Sequence, residues 1–474
     1  MRRPPTETLL TELEALLGPR GFTRDPGEIA PWLTDWRGRF EGRSAALLAP
    51  ATTEQVRAVV ALCAGHGTAL VPQGGNTSLV GGATPSQDGS ALLLSTRRLK
   101  KVRSVSVQDN VIVAEAGVIL AAVHDAAAAA GRRFPLSLGA KGSATIGGLV
   151  STNAGGTQVL RFGPMRSLVL GLEAVLPDGS LHAGLSALRK DNRGYDLKHL
   201  LIGAEGTLGI VTAASLRLVA LPGSRAVAWL GLASPKAALI LLRRLEEVLG
   251  EGVESFELIP ADVLQMVIER IPGSRAPLAG THAWHVLVDT TALPGAAEAG
   301  DGLAAALAAA IGGGLAEDGV LAGSEAQAAS LWRLRDSIAE AERHVGLALK
   351  HDISVPVAAM PGFIEAAREA IERRFCGRVI AFGHLGDGNV HFNVRPPAGE
   401  DEAAWLARNG PQVTDLVYDM VGAAGGSISA EHGIGQLKIA ELDRTADPAA
   451  RAAQREIKQA LDPAGIMNPG KLFS

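Results

Sequence analysis

An α+β fold of more than one domain is what this sequence predicts, and three observations carry the prediction. The chain is 474 residues long, enough for two or three domains with real cores. From about residue 41 to 220 it is dense in glycine and short β-rich runs, with only brief helical stretches. From about 221 it turns to a strand, helix, strand, helix alternation, as in a ferredoxin-like layer with helices on one face. The expected division is a helical segment over 1–40, a first domain over 41–220 and a second over 221–474.

Taken in order, Leu9, Leu10, Leu13, Leu16 and Leu17 mark an amphipathic helix interrupted by Glu12 and Glu14, with no apolar run like that of a signal peptide. In the second part, A-V-A-W-L-G-L reads as a strand, followed by a helix from Pro235 to Val248. G-V-E-S-F-E-L-I is the next strand, then a helix from Pro260 and the strand T-H-A-W-H-V-L-V-D. The Ala-rich stretch from Gly302 to Ala316 reads as a packed surface helix. Near Gly323 a third texture begins: one long helix through S-L-W-R-L-R-D-S-I-A-E-A-E, the strand L-K-H-D-I-S-V-P, and a helical tail.

Composition excludes several classes. A net charge of −4 without a long basic run leaves no electrostatic footprint for nucleic acid. Cys63 and Cys376 are too few for a disulfide framework, as expected in a reducing cytosol. No apolar run reaches the ~18 residues of a membrane span. The expectation is a cytoplasmic protein that does not span a membrane.

The Gly-rich part holds P-Q-G-G-N-T-S-L-V-G-G (Pro72–Gly82), P-L-S-L-G-A-K-G-S-A-T-I-G-G-L-V-S-T-N-A-G-G (Pro135–Gly156) and L-L-I-G-A-E-G-T-L-G-I-V-T (Leu200–Thr212). Consecutive glycines beside Asn, Thr and Ser let several backbone N–H groups converge on an anion such as a pyrophosphate. Each stretch alone reads equally as a turn cluster. Three of them, each flanked by strand-like runs, point to one extended cofactor bridging several loops. No G-x-G-x-x-G joins a strand to a helix, so a nicotinamide Rossmann domain is excluded. The tail G-I-M-N-P-G-K-L approaches a phosphate-binding P-loop, but Leu472 stands where Ser or Thr would hold magnesium, and no helix can follow.

Two of the eleven histidines, His384 and His391, flank a Gly-Asp-Gly in G-H-L-G-D-G-N-V-H-F-N-V. On one strand they would face opposite sides; on one helix they would stand roughly 10 Å apart. A two-residue turn at Asp387-Gly388 makes a hairpin that pairs Gly386 with Asn389, Leu385 with Val390 and His384 with His391. Opposed Cβ atoms lie about 4.5–5.5 Å apart, close enough for two imidazoles to share a metal. Phe382, His384, Asn389, His391 and Asn393 then share one face, and Leu385, Val390, Phe392 and Val394 the other. The alternative is a polar hairpin with two ordinary histidines.

The motifs P-Q-G-G-N-T-S-L-V-G-G, S-T-N-A-G-G and G-A-E-G-T-L-G-I-V-T resemble the FAD-binding half of the vanillyl-alcohol-oxidase, or PCMH-type, flavoproteins. H-L-G-D-G-N-V-H, S-A-E-H-G-I-G and I-M-N-P-G-K-L resemble that superfamily's D-2-hydroxyacid dehydrogenase branch, nearest its D-2-hydroxyglutarate dehydrogenases. The resemblance covers nearly everything from residue 41 onward. It implies a two-part PCMH-type FAD-binding domain and a C-terminal cap, with the flavin between them and the tail returning to it. The cofactor residues it implies are Pro72, Gln73, Gly74, Gly75, Asn76, Thr77, Ser78, Pro135, Leu136, Ser137, Gly139, Ser143, Gly147, Asn153, Glu205, Gly206, Gly209, Ile210 and Asn468. Some relatives tether FAD through a His in the first Gly-rich loop; Asn76 stands there, so noncovalent FAD is expected.

By the same resemblance Glu431 joins His384 and His391 as ligands of a divalent ion, zinc by donor type. His432 diverges from Glu431 in an extended segment and reads as the general base. Arg335 and Lys350 match positions that hold substrate carboxylates, though each reads equally as a solvated charge. Asn393 is expected to hydrogen-bond the substrate or a water. Where the D-2-hydroxyglutarate enzymes tend to carry Thr one turn after that Arg, this chain has Ala339, which weakens the preference for a five-carbon diacid. The implied activity is FAD-dependent, metal-assisted oxidation of D-2-hydroxyglutarate to 2-oxoglutarate. Electron-transfer flavoprotein or quinone would be the acceptor, and a homodimer the assembly. The rivals are a D-lactate dehydrogenase, a glycolate oxidase D subunit, a zinc metallohydrolase, and a flavin-binding subunit without catalysis of its own.

Overall fold

The computed structural model describes residues 3–473, so Met1, Arg2 and Ser474, which the reading of the chain's two ends includes, lie outside the described residues. Two compact units emerge. The first joins residues up to Gly156, Gly163–Ala220 and Glu431 onward; the second joins Thr157–Phe162 and Leu221–Ala430.

In the first unit the expected helix is Glu7–Leu17, opened by Thr6, whose hydroxyl accepts the Leu9 N–H, and burying Leu9, Leu10, Leu13 and Leu17. Four strands follow in the order Phe22–Thr23, Leu47–Leu48, Ala91–Ser95, Ala69–Gln73, the last three parallel. Helix Thr53–His66 makes the crossover, capped by Thr52 and closed by Gly67 at φ 69°. The run A-L-L-L-S is buried at every position, as a parallel strand covered on both faces should be. A second, antiparallel sheet runs Val102–Ser106, Val111–Glu115, Ile210–Arg217, Val169–Val175, Leu181–Gly184. The tail closes the unit: Leu70 donates its N–H to the Ile466 carbonyl and Asn468 donates to that of Leu70. The carboxylate of Asp462 holds this turn by accepting the N–H groups of Ile466 and Met467.

The second unit is built on a seven-stranded antiparallel sheet. Its order is Asp318–Leu321, Ser224–Leu232, Trp284–Ala292, Val253–Pro260, Arg378–His384, Asn389–Arg395, Leu349–Ser354. Helices flank both faces, not one as expected. Val227, Trp229, Ile259, Leu287 and Phe382 pack on helices Ala261–Arg270, Glu325–Asp336 and Ile338–Val345. On the opposite face Phe363, from helix Met360–Phe375, meets Phe392 with ring centroids 6.0 Å apart. The strands explain why: Ser224–Leu232 is buried at seven consecutive positions, so both of its faces need cover. The long helix expected near Gly323 is two helices meeting at Ser337. The Ala-rich helix spans Ala299–Gly312 and buries Leu303, Leu307 and Ala310.

Candidate active site

In the first unit the three Gly-rich stretches converge on one cavity of about 320 Å³. Pro72, Gln73, Gly74, Gly75, Asn76, Thr77 and Ser78 line it, with Gly139, Gly147, Glu205, Gly206, Gly209 and Ile210. Much of the wall is backbone, because the loops approach too closely for side chains: a Cβ on Gly75 would lie 1.8 Å from the Ser143 carbonyl oxygen. The expected residues Pro135, Leu136, Ser137, Ser143, Asn153 and Asn468 do not line this cavity; several of them shape the loops that do. Leu136 offers its carbonyl to His124 Nε2 at 2.9 Å, and the Asn153 side chain accepts the Arg166 N–H. The Asn468 carboxamide donates to the carbonyls of Gly82 and Glu205, two lining residues, at 2.9 and 2.6 Å.

Sequence reasoning missed Thr145, Ser151 and Thr152 among the lining residues, although all three fall inside a motif it had singled out. Gln73 Oε1 and Thr145 Oγ1 are buried there with no hydrogen-bond partner among the described residues. Glu431 and His432 line the same cavity. The segment after them is anchored by Glu205, whose carboxylate accepts the N–H groups of Ile434 (2.7 Å) and Gly435 (2.8 Å). Burial pushes that carboxyl upward against these two hydrogen bonds.

In the second unit the histidine hairpin forms, but in another register. His384 opposes Asn389 and Phe382 opposes His391, with Leu385–Gly388 as a four-residue connection. The two-residue turn is therefore corrected, and the reason is non-local. Leu385 donates its N–H to the Phe256 carbonyl and Gly388 accepts that of Val355, so a neighbouring strand and the residue just past another capture the loop backbone. The shift from the expected pairing is two residues, which preserves the faces. His384 and His391 remain on one side as diagonal neighbours, ring centroids 5.5 Å apart and nearly perpendicular.

Buried carboxylates orient this face. Glu257 meets His384 Nδ1 with Oε1 at 2.6 Å and accepts Arg335 Nε–H with Oε2 at 2.8 Å. Burial pushes the Glu257 carboxyl up, but the charges of Arg335 and His384 and their hydrogen bonds outweigh it and hold it down at about 2. Arg335 Nη2 stands 3.3 Å from His384 Nε2. Opposite His391 in the ladder is Asp352, its Oδ1 3.7 Å from Nδ1 and accepting from the Asn389 side chain. Glu342 accepts from Lys350 Nζ at 2.9 Å and from Asn393 Nδ2 at 2.7 Å. Neither Arg335 nor Lys350 is a freely solvated charge; each is held by a buried glutamate. Sequence reasoning missed Glu257, Glu342 and Asp352. For Glu257 the local signal was an acid among the apolar residues of F-E-L-I; the strand of Asp352, K-H-D-I-S-V, is largely polar, and Glu342 lies in helix Ile338–Val345.

Residues 221–472 match the family of FAD linked oxidases, C-terminal domain, and residues 44–184 the FAD binding domain family. The chain is 38% identical to a Bos taurus protein named D-2-hydroxyglutarate dehydrogenase, mitochondrial, over 99% of this chain and 84% of that one. It is 37% identical to a D-2-hydroxyglutarate dehydrogenase of Xanthomonas citri pv. viticola, over 99% of this chain and 97% of that one. Among solved structures it resembles p-cresol methylhydroxylase with substrate bound, at a TM-score of 0.76 and 14% identity, covering 99% of this chain and 98% of that one. At that identity the likeness is one of fold.

Proposed function

This chain belongs to the FAD-linked oxidases, in the D-2-hydroxyglutarate dehydrogenase family, and from that membership we propose that it oxidises D-2-hydroxyglutarate to 2-oxoglutarate. The cavity of the first unit fits FAD: its wall is largely Gly-rich backbone, and Gln73 Oε1 and Thr145 Oγ1 stand there without partners. Bound there, FAD would supply the two-electron acceptor for the C2 hydride. Asn76 in the first loop supports a noncovalent cofactor.

The observation that carries the substrate reading is the fixed cation beside His384. Arg335 is locked by Glu257 and is suited to a substrate carboxylate, and Lys350, held by Glu342 across the strand from Asn393, is suited to the second. We assign His384, His391 and Glu431 as ligands of a divalent ion, zinc by donor type, which would supply Lewis acidity toward the substrate hydroxyl. Three features support that assignment. The imidazoles are neighbours on one face, and the Glu257 carboxylate sets His384 to donate from Nδ1, leaving Nε2 for a metal. Further, the Ala430 N–H donates to the Asp352 carbonyl beside His391, one residue before Glu431. His432 takes the hydroxyl proton at a ring nitrogen, a task an imidazole performs at neutral pH. Asn393 is assigned to hydrogen-bond the substrate.

The proposed division is an FAD part over 41–220 and a substrate part over 221–474 whose end serves the flavin; that residues from Glu431 onward fall in the first unit supports the returning tail, although it departs from the 221–474 bound. Among the described residues no helix is long and apolar enough to cross a membrane. The cytoplasmic reading rests on two free cysteines, Cys376 exposed, while the Bos taurus relative is named mitochondrial. The acceptor we take to be electron-transfer flavoprotein or a quinone. Anaerobic mixing with D- and L-2-hydroxyacids tests the substrate: D-2-hydroxyglutarate should bleach the flavin fastest and its L-enantiomer not at all. Faster bleaching by D-lactate would hand the site to the monoacid reading.

A further inference from the structure

We propose that Glu257 is the positioning residue of the histidine face, fixing the tautomer of His384 and the fork of Arg335 at once. The inference rests on the metal assignment above and deepens it. Glu257 is 1% exposed in strand Val253–Pro260 and sits directly opposite His384 in the ladder. Backbone pairing alone therefore brings the two side chains together; what the carboxylate adds is orientation. A carboxylate only accepts, so both partners must donate to it. His384 must then carry its hydrogen on Nδ1, which leaves the Nε2 lone pair for a metal. The other oxygen draws Arg335 Nε to 2.8 Å and stations Nη2 3.3 Å from that same Nε2. One buried group thus sets a metal-ligand nitrogen and a substrate cation in fixed relation. Rotating one of them requires giving up its buried hydrogen bond to the Glu257 carboxylate.

Glutamine separates orientation from packing. Glu257→Gln keeps the volume but presents one N–H₂ end, which favours the His384 tautomer with hydrogen on Nε2, or else abandons Arg335. Glu257→Asp keeps two acceptors and loses a methylene. Zinc affinity is read by chelator competition on the FAD-loaded protein, and KM and kcat with D-2-hydroxyglutarate, with FAD content as the gauge of folding. The expected result is a 10- to 100-fold loss of zinc affinity and a raised KM in Glu257→Gln, with Glu257→Asp closer to the parent. The reverse order, Gln like the parent and Asp worse, is what a packing role gives and overturns the inference. Should Glu257→Gln not fold, nitrogen-15 spectra of histidine-labelled parent protein decide: His384 with hydrogen on Nε2 overturns it. A parent that is bleached by D-2-hydroxyglutarate but binds no zinc also overturns it and leaves the oxidation reading standing. A parent that binds zinc without such bleaching sinks the substrate reading, and the zinc order of the two variants still decides this one.

Discussion

His384→Ala and His391→Ala are each expected to lose the divalent ion and most turnover while FAD content stays at the parent level, because the two imidazoles are neighbours on one face of the second unit. Metal analysis beside the flavin absorbance checks this, and full metal content in either variant would refute the ligand set. His432→Ala should behave differently: metal kept, flavin reduction slowed by about 10²–10⁴, the span of a general base. For specificity, a charge-assisted hydrogen bond of about 1.5–3 kcal/mol corresponds to roughly 10- to 150-fold in kcat/KM. Arg335→Ala should therefore harm D-2-hydroxyglutarate, which has a distal carboxylate, far more than D-lactate. If both acids suffer equally, Arg335 grips the C1 carboxylate and the same comparison on Lys350→Ala locates the specificity. Should neither variant separate them, the diacid assignment falls. At this scale the reactive types were legible, since His, Arg and Lys announce themselves within motifs. Their buried partners were not: Glu257 lies 127 residues from His384 in the chain.

Two elements show how a strand's neighbours decide its local form. Gly388 sits at φ 80°, and a Cβ there would lie 2.1 Å from the Val355 carbonyl oxygen. Gly388→Ala should cost about 1–3 kcal/mol, at about 2–4 °C in Tm per kcal/mol. At Gly386, outside the left-handed region, the three atoms nearest a Cβ would belong to the Leu160 side chain and not to backbone, so Gly386→Ala should cost less. Equal losses in thermal unfolding would count against this account of the turn. Strand Trp284–Ala292 carries a second test. His285 accepts the Trp229 indole N–H at Nδ1, and burial, with the charge of His282 and against that of Glu317, pushes its pKa down to about 4. Folding thus favours the neutral ring. Its contribution is full above the unfolded value near 6.5 and is lost as pH falls toward 4, at most about 3 kcal/mol. Tm of His285→Gln should therefore depend less on pH between about 6.5 and 4 than that of the parent; an unchanged slope would rule the residue out.

In the whole molecule the tail is expected to govern cofactor binding from outside the cavity. Asn468 ties Gly82 to Glu205, and Asn468→Ala leaves both carbonyls without that donor at a buried position with φ 40°. Each orphaned group costs about 1–3 kcal/mol, so FAD should bind at least about tenfold more weakly, measured by flavin release on dilution. Unchanged release would mean that the loops hold their shape without the tail. The Glu205 clamp on Ile434 and Gly435 has the same character, joining segments more than two hundred residues apart.

The sequence by itself determined which stretches form the cavity and which residues share the hairpin face. Glycine-dense loops announce close backbone approach wherever they occur, and strand alternation survives a register shift of two. It also determined the strand and helix order from Ser224 to Ala292, because apolar periodicity and caps act within a few residues, but neither strand Asp318–Leu321 nor helix Met360–Phe375 was among its expectations. Only the tertiary structure decided the hairpin's register, since the hydrogen bonds that set it come from Phe256 on a neighbouring strand and from Val355, one residue past the end of strand Leu349–Ser354. It alone decided that helices cover both faces of the sheet, and that Arg335 and Lys350 are held by Glu257 and Glu342. Burial and long-range pairing are what make those carboxylates matter, and no local pattern encodes either.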